Sequence, residues 1–392
     1  MTVLFTAVLL GTGAFYALVI GAFAVGFRRV LRVPRPASPE VPFVSVIVPA
    51  RDEEAAIGAC LDAIFSNDYP EDHFEVIVVD DLSEDGTAEV VRRTMARVNA
   101  PVAAGFEEEA GPPRLRLVQM PENATRERAH KKRAIEKAIG LARGEVILST
   151  DADCVVPPGW IGAMAARFDE GTALVSGPVL YPTGGAAANV MALEFLGLVA
   201  VGAGAIGIGR PNMCNGANVA YRKDVFEALG GFSGIDHLTS GDDELLMQKI
   251  AYTTDWRVRF CAEREAAVLT EAPGSLRAFF EQRRRWASKG AHYPRPGLVA
   301  MIAGIYAFYA VLLGGMLALP FAPGLAAPML GALALKAIPE AALLGPACRH
   351  FGRGRLMALF LPAQFLQIPY VVAVGAAGAL GGYEWKGRRV AR

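Results

Sequence analysis

The sequence has no excess of either charge: 39 lysines and arginines balance 39 aspartates and glutamates over 392 residues. Without a basic surplus there is no electrostatic footprint for nucleic acid, and that partner is excluded. Cysteine is scarce. The five thiols, Cys60, Cys154, Cys214, Cys261 and Cys348, show no paired spacing, which excludes a zinc pattern and a disulfide framework. They suit a reduced, cytosolic compartment. A glycine-rich turn after the first buried strand is missing too. The segment there is Pro49-Ala50-Arg51-Asp52-Glu53, whose carboxylates repel a bare pyrophosphate, and the Gly-Thr-Gly of the chain lies far away at 11–13. A dinucleotide-dependent oxidoreductase requires that turn and is excluded.

Apolar residues are present in surplus. They make up 53% of the chain, more than an ordinary soluble enzyme carries, and they concentrate at the two ends. Thr2–Phe27 holds no charged residue, enough to cross a bilayer core of about 30 Å, and Arg28, Arg29, Arg32 and Arg35 follow at once. Positive charge behind the apolar run, not before it, marks an uncleaved anchor (1–27) with its N-terminus outside and the following domain cytosolic. Residues 291–392 hold further apolar segments near 298–319, 325–348 and 356–381. In the second of these, Lys336 and Glu340 lie one helical turn apart and are expected to pair inside a bundle. Four complete crossings would leave the basic tail (Lys386, Arg388, Arg389, Arg392) outside. Two to three transmembrane or interfacial segments are therefore expected here, with Pro362 and Pro369 marking the last as the candidate for a break.

Between the ends, a basic, proline-rich linker (28–42) leads into a domain expected over 43–290. Phe43–Pro49, Phe74–Val79, Arg116–Gln119 and Val146–Ser149 read as short buried strands. Helices are expected over Glu53–Phe65, Thr87–Val98 (capped by Ser83) and Arg128–Ala142, and 99–114 reads as a surface loop. Strands alternating with helices imply an α/β fold with a mainly parallel sheet, which binds ligands beyond the carboxyl ends of its strands. Three of the four strands run into acidic residues: Asp52-Glu53, Asp80-Asp81, and Asp151 with Asp153. Carboxylates gathered at one rim repel one another unless a cation sits among them. Asp151-Ala152-Asp153, directly after a strand, suits Mg²⁺ or Mn²⁺ held together with a diphosphate.

Seven blocks, in order, carry a family resemblance: VSVIVPARDE at 44–53, VIVVDDLSEDGT at 76–87, HKKRAIEKAI at 130–139, LSTDAD at 148–153, NGANVAYRKDVFEALGGF at 215–232, SGDDELL at 240–246 and QRRRW at 282–286. Together they resemble the inverting family 2 glycosyltransferases of GT-A fold, with a Gln-x-x-Arg-Trp motif. The resemblance implies donor contacts from Glu53, Asp81, Lys131, Asp151 and Gln282, with Asp81 reading a base edge and favouring a uridine nucleotide. His130 stands where the family usually has Gly. It further implies Asp153 as principal metal ligand beside Asp151, and Asp243 as the base that takes the acceptor proton. Arg285 would steady the departing diphosphate and Trp286 would shape the acceptor pocket. Asn212–Asn218 is expected to form the acceptor floor, and His237 has no assignable role.

The implied reaction moves a sugar from a nucleotide-diphosphate sugar to a lipid or lipid-linked acceptor (a lipid or glycan) at the cytosolic face of a bacterial inner membrane. Two other readings stay open at this stage: a processive polysaccharide synthase, and a non-catalytic membrane receptor for nucleotide sugar or polysaccharide.

Overall fold

The computed structural model describes residues 2–35, 41–100, 112–121, 130–235, 241–290 and 293–380, with the backbone of 383–385 and 388–390. His237, the middle of the linker, most of the 99–114 loop and the ends of the basic tail lie outside the described residues.

The chain begins with helix α1 (Thr2–Val30) and enters a sheet-forming stretch. In order come β1 (Val44–Ala50), α2 (Ile57–Phe65), β2 (Phe74–Asp80), α3 (Thr87–Val98), β3 (Leu115–Gln119), α4 (His130–Leu141), β4 (Val146–Ser149), β5 (Cys154–Val155), α5 (Trp160–Ala165), β6 (Thr172–Ser176) and β7 (Val179–Leu180). A long helix, α6 (Ala186–Gly207), interrupts before β8 (Val219–Arg222), α7 (Lys223–Ala228), α8 (Asp242–Thr253), β9 (Arg257–Phe260) and β10 (Val268–Thr270). Four helices follow: α9 (Leu276–Ala287), α10 (Pro296–Ala318), α11 (Ala326–His350) and α12 (Phe360–Leu380).

These elements fall into two compact units. The first comprises Leu31–Leu180 and Met213–Glu271. Its seven-stranded sheet has the order β3-β2-β1-β4-β8-β6-β9. Strands β3, β2, β1 and β4 run parallel, β8 is antiparallel to both β4 and β6, and β9 is parallel to β6. Val46, Ile47 and Val48 of β1 and Val76 to Val79 of β2 are fully buried, as β-branched runs covered on both faces must be. A second sheet, β5-β10-β7, stands apart. Within the core, Glu75 on β2 has no exposed side-chain surface and accepts from Ser45 Oγ (2.7 Å), Arg143 N (2.6 Å), Arg143 Nε (3.0 Å) and Arg116 Nη2 (2.6 Å). Four donors turn a costly buried charge into a tie between strand and loop.

Two local expectations are corrected. The helix expected from Glu53 starts at Ile57, because Asp52 has φ +50° and the four residues after it form a turn. Ser83 does not cap α3. Its hydroxyl instead accepts the Asp52 N–H, and Asp85 Oδ1 takes the Thr87 N–H at 3.0 Å.

The second unit comprises Met1–Val30, Tyr181–Asn212 and Ala272–Arg392. Thus 181–212 and 272–290 group with the apolar helices and not with the sheet. Five helices among the described residues are long and apolar enough to cross a membrane: Thr2–Val30, Ala186–Gly207, Pro296–Ala318, Pro323–His350 and Gly354–Ala379. The second of these, α6, was not anticipated. It differs from the rest in that 61% of its most apolar window is buried inside the protein, against 17–33% for the others. Helix α1 packs on α6 with backbones nearly touching, since a Cβ on Gly26 would overlap the Gly204 carbonyl and one on Gly204 the Phe23 carbonyl. Lys336 and Glu340 do pair, at 2.9 Å. Lys336 Nζ also donates to Gln364 Oε1 (2.8 Å) and Gln367 Oε1 (2.7 Å), while Glu340 accepts from Gln364 Nε2 (2.7 Å) and from Tyr16. This network joins α1, α11 and α12, with each donor of the ammonium used. The expected break in the last segment is absent: α12 runs on through Pro369, and Pro362 falls in its first turn, where its missing N–H costs nothing.

Candidate functional site

At the carboxyl ends of β1 and β2 the backbone takes two uncommon turns, with Asp52 at φ +50° and Leu82 at φ +60°. Left-handed backbone at non-glycine residues costs of order 1 kcal/mol each and survives where the surroundings over-determine it. Here the two loops are laced together. Glu84 N donates to Asp52 Oδ1 (2.8 Å), Glu53 N to Thr87 Oγ1 (2.8 Å), Glu54 N to Asp85 Oδ2 (3.0 Å) and Gly86 N to Glu54 Oε2 (3.0 Å). Arg51 Nη1 binds the Asp81 carbonyl at 2.7 Å from beneath. The lacing sets Glu53 and Asp81 in adjacent loops. Asp81 is buried, and His130 Nδ1 lies 3.7 Å from its Oδ1. The imidazole that replaces the family glycine thus stands against the residue expected to read the base.

Lys131, next along α4, places its ammonium 2.8 Å from Asp151 Oδ1 and 3.7 Å from Asp242 Oδ2. Burial works against its charge, but Asp151, Asp242 and Asp243 outweigh that and hold the ammonium well above the ordinary lysine range. One cation therefore ties the loop after β4 to the first turn of α8. The pairing of Asp242 with Lys131 had no signal in spacing because 111 positions separate them.

Asp153 follows Asp151 by two residues and has a different setting. Burial first, then the charges of Asp151 and Glu53, push its carboxyl up to about 6. Cys60, beneath the same group, is pushed up to about 12 by burial and by Asp153 and Asp151, so it is an inert thiol. Crowded carboxylates of this kind are relieved by a cation. Among the described residues no group of three or more His, Cys, Asp or Glu side chains forms a cage for one. Magnesium and manganese bound with a nucleotide take one or two carboxylates and complete their shell from phosphates and water, so the pair fits that mode and not an all-protein site.

Asp243 sits in the first turn of α8, behind Gly241 at φ +79°. Its Oδ2 accepts the Gly216 N–H at 2.5 Å and its Oδ1 the Glu244 N–H at 2.8 Å. The segment expected as acceptor floor therefore meets the expected base through a backbone amide. Nearby Asn218, fully buried, accepts from Trp160 Nε1 (2.9 Å) and donates to the Pro178 and Ala266 carbonyls (2.8 and 2.7 Å). Those bonds fix the turn that carries Gly216.

The sheet unit thus brings together Lys131, Asp151 and Asp242, with Asp153 in electrostatic reach of both Asp151 and Glu53, and sets Asp81 beside His130. Gln282, Arg285 and Trp286 belong to the other unit, on α9. There the middle of the motif holds the surprise, since Arg283 is the buried residue. It pairs with Glu194 of α6. Glu194 was legible in principle as the one charge between Glu170 and Arg210, a rarity that marks a functional or packing role in an apolar helix.

The description "Glycosyl transferase family 2" matches residues 45–230, and "Glycosyl transferase family group 2" matches 146–370. Among curated relatives, "Glycosyltransferase AglE" of Haloferax volcanii is 30% identical over 214 residues, 52% of this chain and 59% of the relative. A "Beta-monoglucosyldiacylglycerol synthase" of Synechocystis is 26% identical over 257 residues, 64% of this chain and 48% of the relative. The chain thus spans about half of the length of these curated relatives. Among solved structures, a Pyrobaculum calidifontis mannosyltransferase, PcManGT, in complex with GDP-Man and Mn²⁺, superposes with a TM-score of 0.58 at 24% identity. The match covers 96% of this chain and 99% of that one. The architecture is therefore GT-A-like.

Proposed function

Because this chain belongs to the family 2 glycosyltransferases, we propose that it is an inverting transferase taking a sugar from a nucleoside-diphosphate sugar to a lipid or lipid-linked acceptor. The observation that carries this reading is the joining of Lys131, Asp151 and Asp242 at the carboxyl edge of the sheet, with Asp243 one residue further on. A fixed ammonium suits an anionic donor, and its carboxylate partners keep it charged. Glu53 and Asp81 hold the nucleoside, with uridine the expected base.

In the proposed reaction Asp243 accepts the proton of the acceptor hydroxyl as that oxygen attacks the anomeric carbon from the face opposite the diphosphate. One bond forms as one breaks, the configuration inverts, and no enzyme nucleophile is required. The two amides on Asp243 orient its carboxylate. A divalent ion, when bound by Asp153 with Asp151, would neutralise the leaving diphosphate. Arg285 is the proposed protein counterpart for that charge, and Trp286 the wall of the acceptor pocket.

A membrane setting is part of the proposal, with the sheet unit cytosolic at a bacterial inner membrane. Five apolar helices support it, and so does the lipid product in the name of the Synechocystis relative. Both ends of α6 lead into strands of the sheet unit, so α6 is assigned a place within the bundle and not a crossing of its own.

The test is release of nucleoside diphosphate by the detergent-purified chain, using UDP- and GDP-sugars, Mn²⁺ and a membrane lipid extract. Release with one donor, abolished by a chelator, is the expected result. Nucleotide binding without release from any donor would favour a receptor, and long products on a sizing gel would favour a polysaccharide synthase.

A further inference from the structure

In the run from Gln282 to Trp286 the most deeply buried side chain is Arg283, at 3% exposure. Its Nε and Nη2 donate to the two carboxylate oxygens of Glu194 on α6, at 2.9 and 2.5 Å. Tyr370 of α12 donates its hydroxyl to Glu194 Oε1 at 3.1 Å. The same guanidinium lies 4.2 Å from the Trp286 ring centre and 4.5 Å from that of Phe279. Helix α9 is thereby gripped from α6 through the ion pair and from α12 through the shared carboxylate.

The grip also fixes Gln282. Arg283 Nη1 donates to Gln282 Oε1 at 2.5 Å, and Tyr181 OH donates to the same oxygen at 3.0 Å. A guanidinium has donors only, so the Gln282 atom facing it must be the carbonyl oxygen. Both acceptor sites of that oxygen are then used. The amide NH₂ remains, and it donates to nothing among the described residues. A buried ion pair seldom stabilises a fold more than well-packed apolar side chains would, and its attested use is to specify one arrangement.

We propose that Glu194 and Arg283 form a positioning pair that sets α9 so that Gln282 offers only N–H donors, and Trp286 its ring, to an oxygen-bearing acceptor (a hydroxyl or phosphate group). The nature of that ligand rests on the transferase reading above; the positioning itself does not. Glu194 and Arg283 touch no reacting atom. They act through Gln282 and Trp286.

The experiment uses the full chain in detergent, with dioleoylglycerol in mixed micelles as acceptor probe and the donor that the wild type turns over. In Gln282→Glu the carboxylate can still accept from Arg283 and Tyr181 but cannot donate. It is expected to lower kcat/KM for the acceptor at least about tenfold with the melting temperature nearly unchanged, whereas a loss confined to donor KM would return Gln282 to the donor contact that the family resemblance implies and overturn this assignment. Glu194→Gln is expected to show a loss of the same kind, and the double variant to be no worse than Gln282→Glu alone, because both act through one group. Wild-type kinetics in Glu194→Gln, or losses that multiply in the double variant, would overturn the proposal.

A second measurement needs no turnover. Quenching of Trp286 by acrylamide, taken as the difference from Trp286→Phe, should rise in Glu194→Gln, and an unchanged value would overturn the positioning role. If the wild type releases no nucleoside diphosphate from any donor, the transferase reading fails while the quenching result still decides the pair.

Discussion

Replacing Asp243 by Asn tests the proposed chemistry most directly, and the geometry sets what to expect. Losing a general base costs about 10²- to 10⁴-fold in rate, equivalent to about 3–5 kcal/mol of transition-state stabilisation. The substitution is not silent in the fold. Asp243 accepts two backbone amides, Gly216 N–H and Glu244 N–H, one on each oxygen. An amide side chain keeps one acceptor oxygen and turns an NH₂ toward the other donor. One charge-assisted bond is lost, worth about 1.5–3 kcal/mol. For a unit of this size that lowers the melting temperature by roughly 3–12 °C, so the assay belongs well below it. Asp242→Asn is the matched control. It removes a carboxylate 3.7 Å from Lys131 but leaves Asp151 at 2.8 Å, so the ammonium stays paired. Its expected effect is less than about tenfold, and on donor KM rather than kcat. The readout is nucleoside-diphosphate release across donor concentrations, beside nucleotide binding by calorimetry. Asp243→Asn should bind nucleotide like wild type while losing kcat. Should it keep kcat within tenfold while Asp242→Asn loses more, the assignment of the base is wrong.

Other outcomes follow from the packing. Glu75→Ala strands four donors in the core of the sheet unit and should cost about 3–5 kcal/mol, read as a melting shift in detergent. Burial alone would raise the Glu75 pKa, but the Arg143 and Ser45 hydrogen bonds and the Arg116 charge more than reverse it. Its native value therefore lies below the unfolded value of about 4.3. The stability it contributes is complete above that pH and is lost as the pH falls through the depressed native value. The melting deficit of Glu75→Ala should accordingly shrink in acid, and a deficit independent of pH would refute the ionic account. Gly204→Val must drive α1 from α6, since its side chain would overlap the Phe23 carbonyl, whereas Gly21→Ala, with open space around it, should be tolerated or slightly stabilising; thermal unfolding compares them. Lys336→Met leaves Glu340, Gln364 and Gln367 without their shared donor and should destabilise by about 3–5 kcal/mol in the same assay.

Much of this architecture is legible in one dimension because its causes are local. The β-branched runs at 44–50 and 74–80 can only be buried strands, and apolar runs of more than twenty residues can only be bilayer-length helices. Acidic residues at three strand ends announce a polar rim, since sheets of this class put every such end on one edge. Local turn chemistry was read less well. Asp52 and Leu82 adopt left-handed backbone because two loops, thirty residues apart, supply each other's hydrogen bonds. That is why Ser83 serves Asp52 and does not cap α3.

The sequence by itself determined the kinds of residue available: a lysine, several aspartates, a Gln-x-x-Arg-Trp run and a set of apolar helices. Tertiary structure alone decided which of them meet. Lys131 finds Asp151, 20 positions on, and Asp242, 111 positions on, and Asp153, one residue beyond Asp151's neighbour, is left crowded. Arg283, not Arg284 or Arg285, is the residue drawn inside, because Glu194 waits on a helix some ninety positions earlier. Periodicity and spacing carry the information for elements, whose hydrogen bonds run between near neighbours. Charge pairing is settled only when the packing of whole elements removes water from between two groups, and no local pattern records that event.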